Sequence, residues 1–332
     1  MEDGVFRMMV TRVVLTVCAL LALSVPASAQ IDLNGSWDTR LHEDWMERCC
    51  GRDLADYTGI ALNDEARAKA LSWDASQNSL RERQCLLFAP WTNQFQPRGV
   101  RIWSEIDDKG NVLAWKIGGN TQRDVVTIWM DGRPHPSANA FHDFSGFTTG
   151  QWIGDTLAAT TTHIKTASVR RSNGMPKSDL STVMAYLTRH ENLLTIVTID
   201  EDPVYLAEPL FISRTYQLDP RGNIAHYEQC SAVTEIPRLE GSGVVPSYLA
   251  GENPSRTSIA TEYNIPQEAA MGYAETLYPE YRKKIKDTYK APEACGRYCC
   301  GWLSVGGGTA NPAPTLSCND SSSGKTVAES GN

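Results

Sequence analysis

The chain has 332 residues and a formal net charge of −8, and this length suits one large domain with elaborations or two small ones. Acidic and basic side chains cancel within the first 29 residues, so the negative charge belongs to the rest of the chain. No basic stripe that would neutralise phosphates is visible. The charge pattern therefore argues against a nucleic-acid partner.

The amino-terminal segment has the pattern of a signal peptide. Arg7 and Arg12 precede the apolar run "VVLTVCALLALSV", and "PASAQ" supplies the small residues that a signal peptidase reads, with cleavage predicted after Ala29. The run is too short to span a membrane. Cys18 raises the alternative of a lipoprotein, but Val17 before it is a poor lipobox residue. Residues 1–29 thus predict a secreted or periplasmic protein with no membrane span.

Helices are predicted at the periphery of the fold. An insertion between about residues 43 and 98 contains "NDEARAKALSWDAS", in which Asn63 suits the N-cap position and acidic residues fill the first turn. A second stretch, "PQEAAMGYAETLYPEYRKKIKD", covers residues 266–287, and Pro279 is expected to break or restart it.

Strand signals dominate the middle of the chain, where β-branched and aromatic runs alternate with Gly, Asn, Asp and Pro. The segments are "RIWSEID", "NVLAWKI", "DVVTIWM", "QWIGDTLAATTTHI", "STVMAYLTRH", "LLTIVTID" and "PLFISRTYQL". No helical pattern separates them, which disfavours a parallel βαβ fold. Closure of an antiparallel meander would remove exposed sheet edges. Residues 30–290 are therefore predicted to form a mainly β, antiparallel barrel.

Eight cysteines remain after the signal peptide, and an even number in an exported chain indicates disulfides. They are Cys49, Cys50, Cys85, Cys230, Cys295, Cys299, Cys300 and Cys318. The two "CCG" sequences suggest that the tail is joined to the insertion, with Cys85–Cys230 and Cys295–Cys318 as the remaining hypotheses. A soft-metal thiolate site in "CGRYCC" is the alternative. Residues 291–332 are predicted to be a Cys-rich, partly disordered extension, since the end of the chain lacks apolar residues.

The stretch "DLNGSW" resembles the G-x-W motif that opens the first strand of lipocalin-like barrels, through Gly35 and Trp37. The resemblance implies that Trp37 packs at the closed barrel end against an arginine from a late strand, and Arg214 in "ISRTYQ" is the expected partner. The insertion after the first strand departs from a simple lipocalin.

A second resemblance covers most of residues 32–286. The motifs "DYTGIALNDEAR", "IWMDGRPHP", "TTHIK", "RRSNG", "DPVYLAEP" and "LYPEY" are similar to those of a family of exported bacterial proteins without an assigned function. This resemblance implies export and a shared fold, and it implies no chemistry.

Familiar catalytic motifs are absent: the sequence has no G-x-S-x-G, H-E-x-x-H, Walker loop or G-x-G-x-x-G after a strand. The remaining candidates are polar residues at strand ends. Strand alternation allows Asp131, His163 and His190 to point together into the barrel lumen. Histidine titrates near pH 6.5, so a carboxylate beside it would make an acid–base catalyst that needs no cofactor.

Roles follow from residue chemistry. His163 or His135 would be the acid or base, Asp131 would orient it, and Arg133 would stabilise negative charge. The structural alternative is that "DGRPHP" is a tight turn and the histidines are satisfied core groups. A metal alternative uses His135 with His142, His163 and Asp131 as ligands.

The pocket walls are predicted from aromatic and basic residues. The expected ligand-binding residues are Trp103, Trp115, Trp129, Tyr186 and Arg170. The sequence thus predicts a barrel enzyme that isomerises, eliminates from or cyclises a small, largely apolar molecule. A non-catalytic small-molecule carrier and a metal-binding exported protein are the alternatives.

Overall fold

The computed structural model describes residues 31–40, 55–73, 80–85, 88–91, 99–119, 125–169, 174–222, 231–232, 248–249, 251–262 and 264–288. The chain divides into a unit of residues 1–32 and a larger unit of residues 33–332. The elements described here all belong to the larger unit.

Nine strands of the described part close a barrel, in the order β1-β11-β10-β9-β6-β5-β4-β3-β2, and β7 and β8 form a separate two-stranded sheet. The bounds are β1 (Gly35–Thr39), β2 (Val100–Ile106), β3 (Val112–Gly119), β4 (Val126–Trp129), β5 (Phe147–Ile153), β6 (Thr156–Thr162), β7 (Ala167–Ser168), β8 (Pro176–Lys177), β9 (Thr182–His190), β10 (Leu193–Glu201) and β11 (Leu210–Asp219). The prediction of a mainly β barrel is confirmed.

The helices are short and lie outside the barrel wall. They are α1 (Asp64–Leu71), α2 (Arg81–Gln84), α3 (Ser258–Glu262), α4 (Gln267–Ala270) and α5 (Pro279–Ile285), with 3-10 turns at Pro254–Thr257 and Ala274–Leu277. Asn63 caps α1 as predicted, since its side chain accepts a hydrogen bond from Ala66 N at 2.9 Å. Pro279 begins α5, where its missing N–H costs no helical hydrogen bond.

The prediction of an antiparallel barrel is wrong at one seam. β4 and β5 pair in parallel through Ile128 with Thr148 and Trp129 with Thr149, whereas the other neighbouring barrel strands are antiparallel. Residues 130–146, here called the crossover loop, carry the chain back to the barrel end at which β4 begins. Parallel neighbours require such a connection of about a dozen residues or more.

The lumen is filled by the alternate side chains of the strands. In β4, Val126 and Ile128 are fully buried and face inward, while Thr127 and Trp129 are half-buried on the outside. A Cβ atom added to Gly150 would lie 2.6 Å from Ile128 Cγ2 and 3.2 Å from Leu157 Cδ1. The lumen around β4–β6 is therefore a packed core rather than an open channel.

One end of the barrel, the Trp37 end, is closed by a buried indole. Trp37 Nε1 donates to the Leu33 carbonyl oxygen at 2.9 Å, and the Arg189 guanidinium carbon lies 5.1 Å from the ring centroid. The predicted arginine was Arg214, which is buried on β11 with its guanidinium 5.9 Å from the Tyr216 ring. The register pairs Trp37 with Leu218, so Arg214 lies four residues away from this position, toward the start of β11. The inward arginine of β9, Arg189, lies beside Trp37 instead.

The opposite end, here called the Lys177 end, is covered by a second apolar cluster. Its buried members are Ala55, Tyr57, Ile60, Leu62, Ala66, Ala70, Val169, Met175, Tyr205, Leu210 and Met271. They come from the α1 region, from the segments beside β7 and β8, from the β10–β11 connection, from the first residue of β11 and from the residue after α4. This layer removes the Lys177 end of the barrel from solvent.

Candidate functional site

The crossover loop lies against the outer surface of β5 and β6. His135 contacts Thr149 and Thr162, which are outward positions because the inward pair of the same strands is Thr148 and Thr161. Thr148 and Thr161 are fully buried and their hydroxyl oxygens are 2.8 Å apart. The loop histidines therefore stand outside the barrel wall.

The predicted gathering of Asp131, His163 and His190 in the lumen does not occur. Asp131 is exposed and binds Arg133, with Arg133 Nη2 2.5 Å from Asp131 Oδ2. This guanidinium holds the pKa of Asp131 below its ordinary value, and it also stacks 3.6 Å from the Trp129 ring centroid. His190 is exposed at the end of β9. Alternation fails at His163, because β6 ends at Thr162 and His163 has a φ of +56°, so His163 lies outside the wall although Thr161 two residues earlier faces inward.

His135 and His163 do come together, through a shared hydroxyl. Thr162 Oγ1 lies 2.7 Å from His135 Nδ1 and 2.8 Å from His163 Nδ1. His135 Nε2 lies 2.8 Å from Thr149 Oγ1, and His163 Nε2 lies 2.8 Å from the Ser137 carbonyl oxygen. All four ring nitrogens are engaged in this way.

The surroundings of His135 disfavour its charged form. Partial burial lowers the pKa of His135, and the charge that His163 carries when protonated lowers it further. His142 packs beside His163 with ring centroids 5.0 Å apart, and its Nδ1 lies 3.0 Å from the Ile164 carbonyl oxygen. Within the described residues, no group of three or more His, Cys, Asp or Glu side chains is placed to hold a metal ion. The predicted metal ligands His135, His142, His163 and Asp131 thus do not converge.

The predicted ligand-binding residues do not share one pocket. Trp115 faces inward and is fully buried in the packed lumen, opposite Ser104 of β2. Trp103 and Trp129 lie on the outside of the wall, half-buried, and Tyr186 faces outward on β9. Arg170 lies outside the described residues.

The cysteine predictions fall almost entirely outside the described part of the chain. Cys85 is disulfide-bonded. The other seven fall outside the described residues: Cys49, Cys50, Cys230, Cys295, Cys299, Cys300 and Cys318. Their pairing stays a prediction.

The sequence reasoning missed a buried ion pair at the Lys177 end. Lys177 in β8 is 2% exposed and Asp200 in β10 is 9% exposed. The Lys177 ammonium binds Asp200 Oδ2, and Ser181 Oγ donates to Asp200 Oδ1 at 3.1 Å. Asp200 is an inward position of β10, and a carboxylate on the inward face of a strand was the available signal. Nothing in the sequence marks Lys177, because it lies in a short strand far from Asp200 along the chain.

A neighbouring carboxylate holds the backbone around the pair. Asp202 Oδ1 accepts from Ser178 Oγ at 2.7 Å and from Val204 N at 3.0 Å. Its second oxygen accepts from Ser178 N at 2.7 Å. These bonds fix the residue after Lys177 to the residues after Asp200, so they position both members of the ion pair.

The ion pair borders a small cavity. The lining residues are Pro90, Trp91, Val169, Lys177, Val183, Thr198, Asp200 and Ile212. They enclose about 10 Å³, close to the least volume that holds one water molecule. Trp91 Nε1 donates to Thr161 Oγ1 at 2.9 Å, so the indole is held against the inner wall of β6.

Trp91 adopts an unusual backbone conformation beside this cavity. Its φ is +65°, a region that costs a residue with a side chain on the order of 1–3 kcal/mol and is enriched at functional sites. The indole is 5% exposed. The structure therefore holds this aromatic side chain at the border of the cavity at some energetic cost.

No family model, curated protein or solved structure matches this chain. The described residues include no helix long and apolar enough to cross a membrane.

Proposed function

We propose that the chain is an exported barrel enzyme that catalyses cofactor-free acid–base chemistry on a small, largely apolar molecule at the Lys177 end. The observation that carries the proposal is the buried Lys177–Asp200 pair facing a cavity with apolar walls. Buried charges are costly unless they are paired, and small-molecule sites typically combine apolar walls with a few convergent polar groups. We therefore place the proposed reactive centre at this cavity and not at the histidines of the crossover loop.

Each member of the pair has a chemical role. The Asp200 carboxylate, oriented by Ser181, takes a proton from carbon next to a carbonyl group. The Lys177 ammonium stabilises the negative charge that develops on the carbonyl oxygen. The apolar side chains of Val183 and Ile212 hold the remainder of the molecule. Isomerisation, elimination and cyclisation can all begin with such a proton transfer.

A substrate larger than one water enters only when part of the lining moves. Pro90 and Trp91 belong to the segment of residues 88–91, which is not part of a barrel strand. The Trp91 indole is held to the wall by one hydrogen bond, to Thr161. Displacement of this indole would open the cavity without disturbing the barrel ladder.

We also propose that the protein is exported, that its tail is rich in disulfides and that its barrel is related to those of lipocalins. Support for export comes from the signal-peptide pattern of residues 1–29 and the even number of cysteines after it. Support for the lipocalin-like relationship comes from the closed barrel and from Trp37 packed beside Arg189. The parallel β4–β5 seam is a difference from an antiparallel barrel.

The test uses proton exchange, which requires no knowledge of the product. A panel of small enolisable ketones and aldehydes is incubated with the protein in D2O, and loss of the α-proton signals is followed by proton NMR. The wild type is expected to accelerate exchange of at least one compound, and Asp200→Asn and Lys177→Met are expected to abolish it. Glu201→Gln, at the exposed next position of β10, is the matched control and retains exchange.

The possible outcomes separate the candidate functions. Exchange that survives Asp200→Asn in a folded protein contradicts the assigned base. Line broadening of a compound without any exchange would indicate the non-catalytic carrier instead. Melting curves of each variant show whether a lost signal reflects lost chemistry or lost structure.

A further inference from the structure

The hydrogen-bond chain that fastens the crossover loop has only one consistent arrangement of protons when both histidines are neutral. A carbonyl oxygen can only accept, so the Ser137 carbonyl fixes the proton of His163 on Nε2. Its Nδ1 then accepts, and the hydroxyl of Thr162 donates to it. The direction of the first two bonds is thereby settled.

The remaining two bonds follow from the single proton of a hydroxyl group. Because the Thr162 proton points to His163, its oxygen accepts from His135, whose proton lies on Nδ1. His135 Nε2 then accepts from the Thr149 hydroxyl. Neutral imidazoles therefore satisfy all four contacts, from the β5 hydroxyl to the loop carbonyl.

An added proton breaks this match at either ring. On His163 it must go to Nδ1, which then faces Thr162 as a second donor. On His135 it must go to Nε2, which faces the hydroxyl proton of Thr149. In each case the hydroxyl has to turn its own proton away. If both rings carried an added proton, two charged rings would contact Thr162.

The other charged groups of the loop region are engaged elsewhere. Asp131 binds Arg133, and the Asp143 carboxylate accepts from Gly146 N at 2.6 Å and from Ser145 Oγ at 3.0 Å. The Lys165 ammonium lies 5.1 Å from the Phe144 ring centroid.

In the described part of the chain, no carboxylate forms an ion pair with His135 or His163. The third imidazole, His142, packs on His163. The outward positions of β5 and β6 that face His135 are Thr149 and Thr162. No anion therefore lies opposite the rings on these strands to stabilise a charged histidine pair.

We propose that the crossover loop is a pH-sensitive strap, docked on β5 and β6 through the hydrogen-bonded imidazoles of His135 and His163 and released when His135 is protonated. Release affects the shortest strand pairing of the described barrel, because β4 and β5 share only the two residue pairs Ile128–Thr148 and Trp129–Thr149. The strap is independent of the chemistry assigned to the Lys177 end.

The sign of the pH effect follows from His135. Its pKa in the docked state lies below the ordinary histidine value of about 6.5, so the released loop binds more protons than the docked loop. The free energy that favours docking is therefore largest at a pH above the ordinary histidine pKa. It decreases as the pH falls from that value toward the pKa of His135 in the docked state. Each unit between the two values corresponds to about a tenfold change in the docking equilibrium.

The experiment is hydrogen–deuterium exchange of the full chain between pH 8 and pH 5, analysed as protection factors for peptides covering residues 130–146. We expect protection of the loop to fall in the wild type as the pH drops across this range, while peptides of β9 and β10 stay protected. The double variant H135Q/H163Q replaces both rings by side chains that do not titrate, and its loop protection should not depend on pH. His190→Gln, an exposed histidine at the other barrel end, should behave like the wild type.

Nitrogen-15 NMR of the imidazoles gives a second measurement that does not need the variants to fold. It should show His163 protonated on Nε2 and His135 on Nδ1 at pH 8, and His135 titrating below about pH 6.5. Unchanged wild-type protection at pH 5, equal pH dependence in H135Q/H163Q, or the opposite tautomers would each overturn the proposal.

Discussion

Removal of one partner of the Lys177–Asp200 pair should destabilise the fold much more than removal of an exposed pair. Lys177→Met leaves the Asp200 carboxylate buried without its cation, which typically costs about 3–5 kcal/mol. Ser181 Oγ still donates to this carboxylate at 3.1 Å, so we expect the lower part of that range, about 3 kcal/mol. Asp200→Asn should be similar, because it leaves a buried ammonium.

The assay is thermal or urea unfolding of the full chain followed by circular dichroism at pH 7.5. A loss of about 3 kcal/mol corresponds to a fall of roughly 6–12 °C in melting temperature for a domain of this size. The matched control is Lys116→Met, which removes the half-exposed Lys116–Glu105 pair at 2.6 Å and should cost less than about 1 kcal/mol. The double variant K177M/D200L, with apolar side chains at both positions, should be close to the wild type.

Three results would refute this reasoning. Melting within about 2 °C of the wild type for both single variants would mean that the pair is accessible to water. A double variant that loses the sum of the two single effects would mean that the residues do not interact. Equal losses for Lys177→Met and Lys116→Met would mean that burial of the pair does not set its contribution.

Two further expectations concern the lumen and the cysteines. Gly150→Ala would place a Cβ atom 2.6 Å from Ile128 Cγ2, so overpacking should lower the free energy of unfolding by about 1–3 kcal/mol. The control Gln151→Ala, on the exposed face, should change it by no more than about 0.5 kcal/mol. Unchanged melting of Gly150→Ala would mean that the lumen is loosely packed. The intact mass of protein purified from an oxidising compartment should match a chain that begins at Gln30 and lacks two hydrogens per disulfide for the cysteines after the signal peptide; retention of the leader or of free thiols would contradict export or the pairing.

The strands and the first helix cap were predictable because their signals are local. Alternation and β-branched content give the strand positions, and Asn63 before an acidic turn gives the start of α1. Which face of a strand points inward is not determined by the local sequence. In β4, Thr127 and Trp129 share the outer face although tryptophan is an apolar residue, and the Arg133 guanidinium lies 3.6 Å from the centroid of this outward indole.

The buried site was harder to predict because its residues meet only in the folded chain. Asp200 pairs with Lys177 across two different sheets, and Trp91 reaches the cavity from the segment before β2. Their sequence separations are not typical of any motif. A carboxylate that follows Leu194, Ile196 and Thr198 on the inward face of β10 was the one usable sign.

The parallel seam explains why the histidines and the proposed reactive centre lie on opposite sides of the wall. A two-residue hairpin would have carried β4 directly into an antiparallel β5. The long connection instead crosses the outside of the barrel, so its histidines can reach only outward hydroxyls such as Thr149 and Thr162. Because their ring nitrogens already take part in hydrogen bonds, these histidines are better suited to holding the crossover loop in place than to catalysis. On the inward side of the same strands, Thr161 accepts a hydrogen bond from Trp91. Trp91 and Lys177 both line the cavity. The long β4–β5 connection therefore keeps His135 and His163 outside the wall, while Lys177 and Asp200 meet on its inner side.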